Sequence, residues 1–180
     1  MRVITGRARG RKLVTPAGLD VRPTSAKVKE SIFSIIQFEV EGARVLDLFA
    51  GTGQMGIEAL SRGARACVFV EKARESLSTL RKNLDCTGPW PGAKVLATDA
   101  LSFLRGCGEA PFDIAFLDPP YAAGLLEECL PLLAGRMHPG GVILCEADRK
   151  TELPEQFSPF FLKKRYQYGK THLLLYRAQP

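Results

Sequence analysis

Four of the five apolar runs in this 180-residue chain meet an acidic residue at or near their C-terminal ends. No other feature restricts the fold as much. ARVLDLFA (43–50) carries Asp47, CVFV (67–70) stops at Glu71, KVLAT (94–98) at Asp99 and FDIAFL (112–117) at Asp118. GVILCEA (141–147) is the fifth run. Strands that are apolar on both faces suit a parallel sheet covered by helices. Helical patterns fall between the runs. MGIEALSRG (55–63) ends in Gly63, a plausible residue just past a helix end, and ARESLSTLRKNL (73–84) spaces Leu77, Leu80 and Leu84 at helical intervals. GLLEECLPLLA (124–134) is a third helical stretch, which Pro131 is expected to shorten or kink. The β-α-β-α succession predicts a doubly wound α/β domain. Right-handed crossovers then bring the strand C-termini to one edge, where such sheets bind ligands. Asp47, Glu71, Asp99 and Asp118 are therefore expected on one rim.

The pattern changes at both ends. FLKKRYQYGKTHLLLYR (161–177) reads as an antiparallel hairpin around Gly169 that closes the sheet edge. At the other end, Thr24 or Ser25 is placed to cap a helix with Val28, Ile32, Ile35 and Ile36 as its apolar stripe. VI (3–4) and LV (13–14) flank a Gly/Arg-rich turn, which predicts a short basic hairpin. The expected division is a basic hairpin and helix over 1–40 and a catalytic domain over 41–180.

Charge follows that division. Formal net charge is +6, yet residues 1–29 hold Arg2, Arg7, Arg9, Arg11, Lys12, Arg22, Lys27 and Lys29 against Asp20 alone. A basic arm of this kind implies a polyanionic partner. It contains no aromatic residue, so it is not a stacking platform. Arg7, Arg9, Arg11, Lys12 and Arg22 are its candidate nucleic-acid contacts. No apolar stretch approaches the roughly 20 residues of a membrane span. The N-terminus lacks the apolar core of a secretory signal. The five cysteines, Cys67, Cys86, Cys107, Cys129 and Cys145, form no C-x-x-C pair, and the two histidines are far apart. These observations argue for buried or incidental thiols, no metal, no membrane and a cytoplasmic protein, and a monomer is the expected state.

Within DLFAGTGQMG (47–56), Gly51, Gly53 and Gly56 make a G-x-G-x-x-G between a strand and a helix. Glycine allows a tight turn and close backbone approach to a ligand. Glu71, 20 residues beyond Gly51, is where an acid holds ribose hydroxyls. A nicotinamide dinucleotide and S-adenosylmethionine both fit. Asp47 beside the loop suits an amino group or sulfonium better than a pyrophosphate. Asp99 can accept from an adenine amine. The chain has little length left for a hydride-acceptor domain. S-adenosylmethionine is therefore the expected cofactor, with S-adenosylhomocysteine as product.

FLDPPY (116–121) carries the second motif. Pro119 keeps Asp118 extended, and Pro120 does the same to Pro119. The Asp118 carboxylate and the Pro119 carbonyl then form a rigid pair of acceptors that matches the two hydrogens of an exocyclic NH₂, and Tyr121 offers a stacking face. A base amine is a poor nucleophile because its lone pair is delocalised. Accepting both hydrogens favours a pyramidal nitrogen and stabilises the positive charge it gains. Reaching such a site requires a flipped or unpaired base. The motif serves guanine and adenine amines alike.

ITGRARGRKL (4–13), RPTSAKVKESIFSII (22–36), DLFAGTGQMGIEALSRGA (47–64), FLDPPY (116–121) and GKTHLLLYR (169–177) together resemble the RsmD family of bacterial 16S ribosomal RNA guanine-N2 methyltransferases. The resemblance spans nearly the whole chain and departs at Ser25-Ala26, where many relatives place an acid. It implies a Rossmann-like methyltransferase fold with a mostly parallel seven-stranded sheet and a basic N-terminal extension. It implies methylation of N2 of one guanine in 16S rRNA, as naked RNA or within an assembling 30S subunit. Gly51 and Gly53 would border the cofactor, Glu71 would hold the ribose and Asp99 the adenine. Asp47, Phe49, Lys72, Ala100 and Asp118 are counted with that site. Asp118, Pro119, Pro120 and Tyr121 would engage the target base. Three alternatives stand beside this one. The first is a DNA or RNA adenine-N6 methyltransferase, which as a DNA enzyme would normally carry a target-recognition domain. A non-catalytic RNA-binding assembly factor would be expected to have degraded motifs. A dehydrogenase would bind NAD.

Overall fold

A computed structural model describes residues 1–15, 26–106, 108–119 and 124–178. One sheet runs through the molecule in the order β3-β2-β1-β4-β5-β8-β7-β6. The first five strands are β1 (Arg44–Asp47), β2 (Ala66–Glu71), β3 (Ala93–Ala97), β4 (Phe112–Leu117) and β5 (Met137–Asp148), and they pair in parallel. β8 (Thr171–Ala178) is antiparallel to both β5 and β7 (Phe160–Tyr168). The expected C-terminal hairpin is therefore present, with its turn at Gly169 and Lys170.

Strand count corrects the expectation of seven. β6 (Gln156–Phe157) adds a two-residue eighth strand that folds back on β7. Its alternation is too short to read in sequence. Burial of Phe157 against Phe160 and Tyr176, with ring centroids 5.7 and 4.9 Å away, holds it there.

Helices cover both faces: α1 (Ala26–Ile35), α2 (Gln54–Ser61), α3 (Arg74–Thr87), α4 (Ala100–Arg105) and α5 (Leu125–Ala134). Gly63 follows α2 with φ +104° and its N–H donates to the Leu60 carbonyl, as a residue past a helix end should. α5 runs through Pro131 to Ala134 rather than ending at it. Leu126, Cys129, Leu130 and Leu133 are buried on the sheet. At about 1.5–3 kcal/mol per large buried side chain, they outweigh the roughly 3 kcal/mol cost of an interior proline. α4 has no counterpart in the sequence pattern, because six residues are too few to show a period.

The chain turns from β1 out to β3 and then returns to β4, so the switch point lies between β1 and β4. Asp47 and Asp118 stand there. The N-terminal hairpin forms as expected, with Arg2 bridged to Lys12 and the Gly10 N–H donating to the Val3 carbonyl at 2.9 Å. It is not a loose tail. Val3, Ala8 and Leu13 share a core with Val28, Ile32 and Phe33 of α1, with Ile57 of α2, and with Val45, Ile114 and Leu144 of the sheet. The candidate cap at Thr24 or Ser25 lies outside the described residues. Ile35 is only partly buried, and Phe33 takes its place in the stripe.

Candidate active site

Residues 47–56 leave β1 and enter α2 through a turn that glycine makes possible. Gly51 and Gly53 have φ of +53° and +82°. A Cβ on Gly53 would stand 2.2 Å from Leu80 Cδ1, and one on Gly56 2.2 Å from Phe69 Cε1. The first two glycines thus serve the turn, and the third lets α2 pack against β2.

Carboxylates hold this loop from below and behind. Asp47 is buried, and its Oδ2 accepts from the Gly56 N–H at 3.0 Å. Desolvation pushes its carboxyl up to about 7, against that hydrogen bond and with the Asp118 and Glu71 charges adding to the rise. Glu71 Oε2 accepts from the Gly51 N–H, and its Oε1 accepts from the Lys72 and Ala73 N–H groups, each at 2.8 Å. Asp99 caps α4 by accepting from the Ser102 N–H at 2.9 Å. Hydrogen bonding from the Ser102 side chain, and after it from that N–H, holds its carboxyl below the usual range.

This arrangement discriminates between the two cofactors that the motif allowed. A pyrophosphate needs free N–H groups on the loop and the start of the helix. Here Gly51 and Gly56 already donate to Glu71 and Asp47. The rim presents carboxylates, which suit the cationic sulfonium and ammonium of S-adenosylmethionine. Asp47, Gly51, Gly53, Glu71 and Asp99 lie together along this edge. Phe49 and Ala100 pack into the core cluster on the other sheet face, and Lys72 is exposed beside Glu71.

Asp118 follows β4 directly and Pro119 succeeds it. Pro120 and Tyr121 lie outside the described residues. A narrow cleft opens at Asp118, walled by Ile32 of α1, Met55 of α2, Leu144 and Glu146 of β5, and Leu173 of β8. Arg7, Arg9, Arg11 and Lys12 are exposed, with the Arg7 guanidinium 5.2 Å above the Trp90 ring. Arg22 lies outside the described residues. No group of His, Cys, Asp and Glu among the described residues is placed to hold a metal ion, and no helix among them is long and apolar enough to cross a membrane. Cys67, Cys129 and Cys145 are free and buried, and Cys86 is free and exposed. Cys107 is outside the described residues.

Three residues that hold the site together gave no signal in sequence. Glu58 of α2 is fully buried. It accepts from the Ile4 and Thr5 N–H groups at 2.8 and 3.0 Å and from Arg62 Nε at 2.9 Å. Lys29 of α1, 1% exposed, lies 3.4 Å from Glu58 and donates to the Arg2 carbonyl. Asn83 of α3 ties the arm to the glycine loop. Its Nδ2 donates to the Thr52 and Val14 carbonyls at 2.9 and 3.1 Å, and its Oδ1 accepts from the Val14 N–H at 2.7 Å.

Over residues 1–177 the chain matches the family described as conserved hypothetical protein 95. It is 36% identical to the ribosomal RNA small subunit methyltransferase D of Escherichia coli, across 99% of this chain and 90% of that protein. YlbH of Bacillus subtilis is 40% identical over 99% of this chain and its own full length. The solved structure of yhhF from Escherichia coli superposes with a TM-score of 0.89 at 36% identity, covering 99% of this chain and 98% of that one. A Thermus thermophilus 16S rRNA N2 methyltransferase, RsmC, in complex with AdoMet and guanosine, gives a TM-score of 0.73 at 28% identity, covering 92% of this chain and 45% of that one.

Proposed function

We propose that this chain, which belongs to the conserved hypothetical protein 95 family, transfers a methyl group from S-adenosylmethionine to the exocyclic N2 of a guanine in 16S rRNA. The observation that carries the reading is the rim itself: Glu71 and Asp47 occupy the loop N–H groups, and Asp118 follows one strand away beside an apolar cleft. The full-length likeness to small-subunit rRNA methyltransferases supports the same substrate class.

The bound cofactor supplies an electrophilic methyl group. The chain's own residues do the rest. Glu71 and Asp99 would hold the nucleoside end through lone pairs that their loop and cap hydrogen bonds leave over, since a carboxylate has about four acceptor directions. Asp118 and the Pro119 carbonyl accept the two amine hydrogens and keep the nitrogen lone pair aimed across the cleft. Charge developing on that nitrogen meets a carboxylate already in place. Met55, Ile32, Leu144 and Leu173 keep water from the reacting atoms. Arg7, Arg9, Arg11 and Lys12 contact RNA phosphates, which position the strand without reading its bases.

Incubation with labelled S-adenosylmethionine and small subunits, or naked 16S rRNA, from cells lacking the activity tests the reading. Label at N2 of a single 16S guanine is the expected result. Label on adenine N6, or none on either substrate, refutes it.

A further inference from the structure

Two carboxylates, not one, face the apolar cleft. Along β4, Phe116 belongs to the core under α1 and α2, while Leu117 belongs to the opposite core. Alternation returns Asp118 to the side of Phe116. Along β5, Leu144 faces the α1 side and Cys145 the other, so Glu146 shares the face of Leu144. Leu117 is registered with Cys145, and one step further sets Asp118 beside Glu146 on adjacent parallel strands. Neighbouring strands lie about 4.8 Å apart. Glu146 is in turn registered with Leu173, and all three residues line the cleft.

We propose that Glu146 selects guanine by accepting its N1–H beside the N2 amine that Asp118 receives. The proposal rests on the guanine-N2 reading above. On its Watson–Crick edge guanine presents two neighbouring donors, N1–H and N2–H₂. Adenine presents its amine next to N1, a bare acceptor. An ionised carboxylate only accepts. It therefore meets guanine N1–H with a charge-assisted bond and sets a lone pair against adenine N1. Ile32, Met55, Leu144 and Leu173 surround the contact with apolar surface, so a mismatched polar pair there has no water to relieve it. Sites built to hydrogen-bond a donor reject analogues that lack it much more strongly than apolar pockets reject an extra methylene.

Base analogues separate this role from a structural one. In 2,6-diaminopurine the N2 amine is kept and N1 carries no hydrogen. Glutamine at position 146 offers one acceptor and one donor, the complement of that base. The experiment compares kcat/KM of wild type and Glu146→Gln on small subunits reconstituted with guanine or 2,6-diaminopurine at the mapped target. Wild type should prefer guanine by roughly 10- to 100-fold, and Glu146→Gln should invert the preference. Its affinity for S-adenosylmethionine, measured by calorimetry, should stay within several-fold of wild type, which also reports that the variant is folded. A variant that keeps the wild-type preference overturns the proposal. Equal wild-type rates on the two bases overturn it whatever the variant does. Failure of wild type to methylate guanine at all refutes the guanine-N2 reading instead, and the two failures are thereby distinct.

Discussion

Asp47 and Asp118 stand on neighbouring strands, and their surroundings ask different things of them. Asp118 opens onto the cleft, where a fixed acceptor can receive a base amine. Removing it should lower turnover by about 10²- to 10³-fold, the scale set by loss of one preorganised group at a charge-developing atom. Affinity for S-adenosylmethionine should hold within several-fold. Single-turnover methylation and calorimetry on Asp118→Ala check both, and near-normal methylation would refute the acceptor role. Asp47 is sealed under the glycine loop with its carboxyl pushed up to about 7. The folded chain therefore keeps a proton that the unfolded chain, titrating near 4, has released. Stability should fall as pH rises from about 4 to 7, by an amount on the order of a few kcal/mol, and level off above. Asp47→Asn retains an acceptor for the Gly56 N–H and should flatten that slope. Urea unfolding across the window would show it, and an unchanged slope would place the titration elsewhere.

At the scale of elements, the junction of the N-terminal hairpin with α2 depends on groups invisible to periodicity. Glu58 precedes Arg62 by four positions along MGIEALSRG. The hairpin covers it, and Glu58 becomes the common acceptor for Ile4, Thr5, Arg62 and Lys29. Burial lowers the Lys29 pKa, which the Glu58 charge partly restores. Glu58→Ala should cost about 3–5 kcal/mol, because it leaves a buried ammonium without its partner. Chemical denaturation measures this. Gly6 makes a second demand at the same junction. Its φ is +83°, and a Cβ there would fall 1.8 Å from the Ser61 carbonyl oxygen. Gly6→Ala should loosen the hairpin from α2, and amide exchange at Arg7, whose N–H donates to that carbonyl at 2.8 Å, should speed up accordingly.

At the scale of the whole molecule, the basic arm and the anionic cofactor rim meet through one buried amide. Asn83 holds Val14 on one side and the Thr52 carbonyl on the other. The exposed side chains of Arg7, Arg9, Arg11 and Lys12 remain outside that junction. Reversing Arg9 and Arg11 to glutamate should weaken RNA binding across sequences and flatten its salt dependence by about one unit of slope per lost phosphate contact. Filter binding over a salt series reads the slope, and an unaltered slope would remove the arm from the RNA interface.

Much of this molecule was legible in the chain because its signals are local. Apolar runs ending in acids marked the parallel strands and their common edge. The glycine spacing marked the loop, and the Asp-Pro step after FDIAFL marked the end of β4. Those features depend on residues within a few positions of one another, where backbone sterics and alternation act directly. The burial of Glu58, the clamp made by Asn83 and the pairing of Asp118 with Glu146 were decided only when distant segments came together. Ile4 meets Glu58 across 54 positions, and Val14 meets Asn83 across 69. A polar residue's worth depends on which donor or acceptor is folded against it, and on whether water is excluded there. Sequence periodicity assigns such residues to a solvated face. The tertiary structure turns that face inward, and with it decides which carboxylates hold the fold and which open onto the cleft.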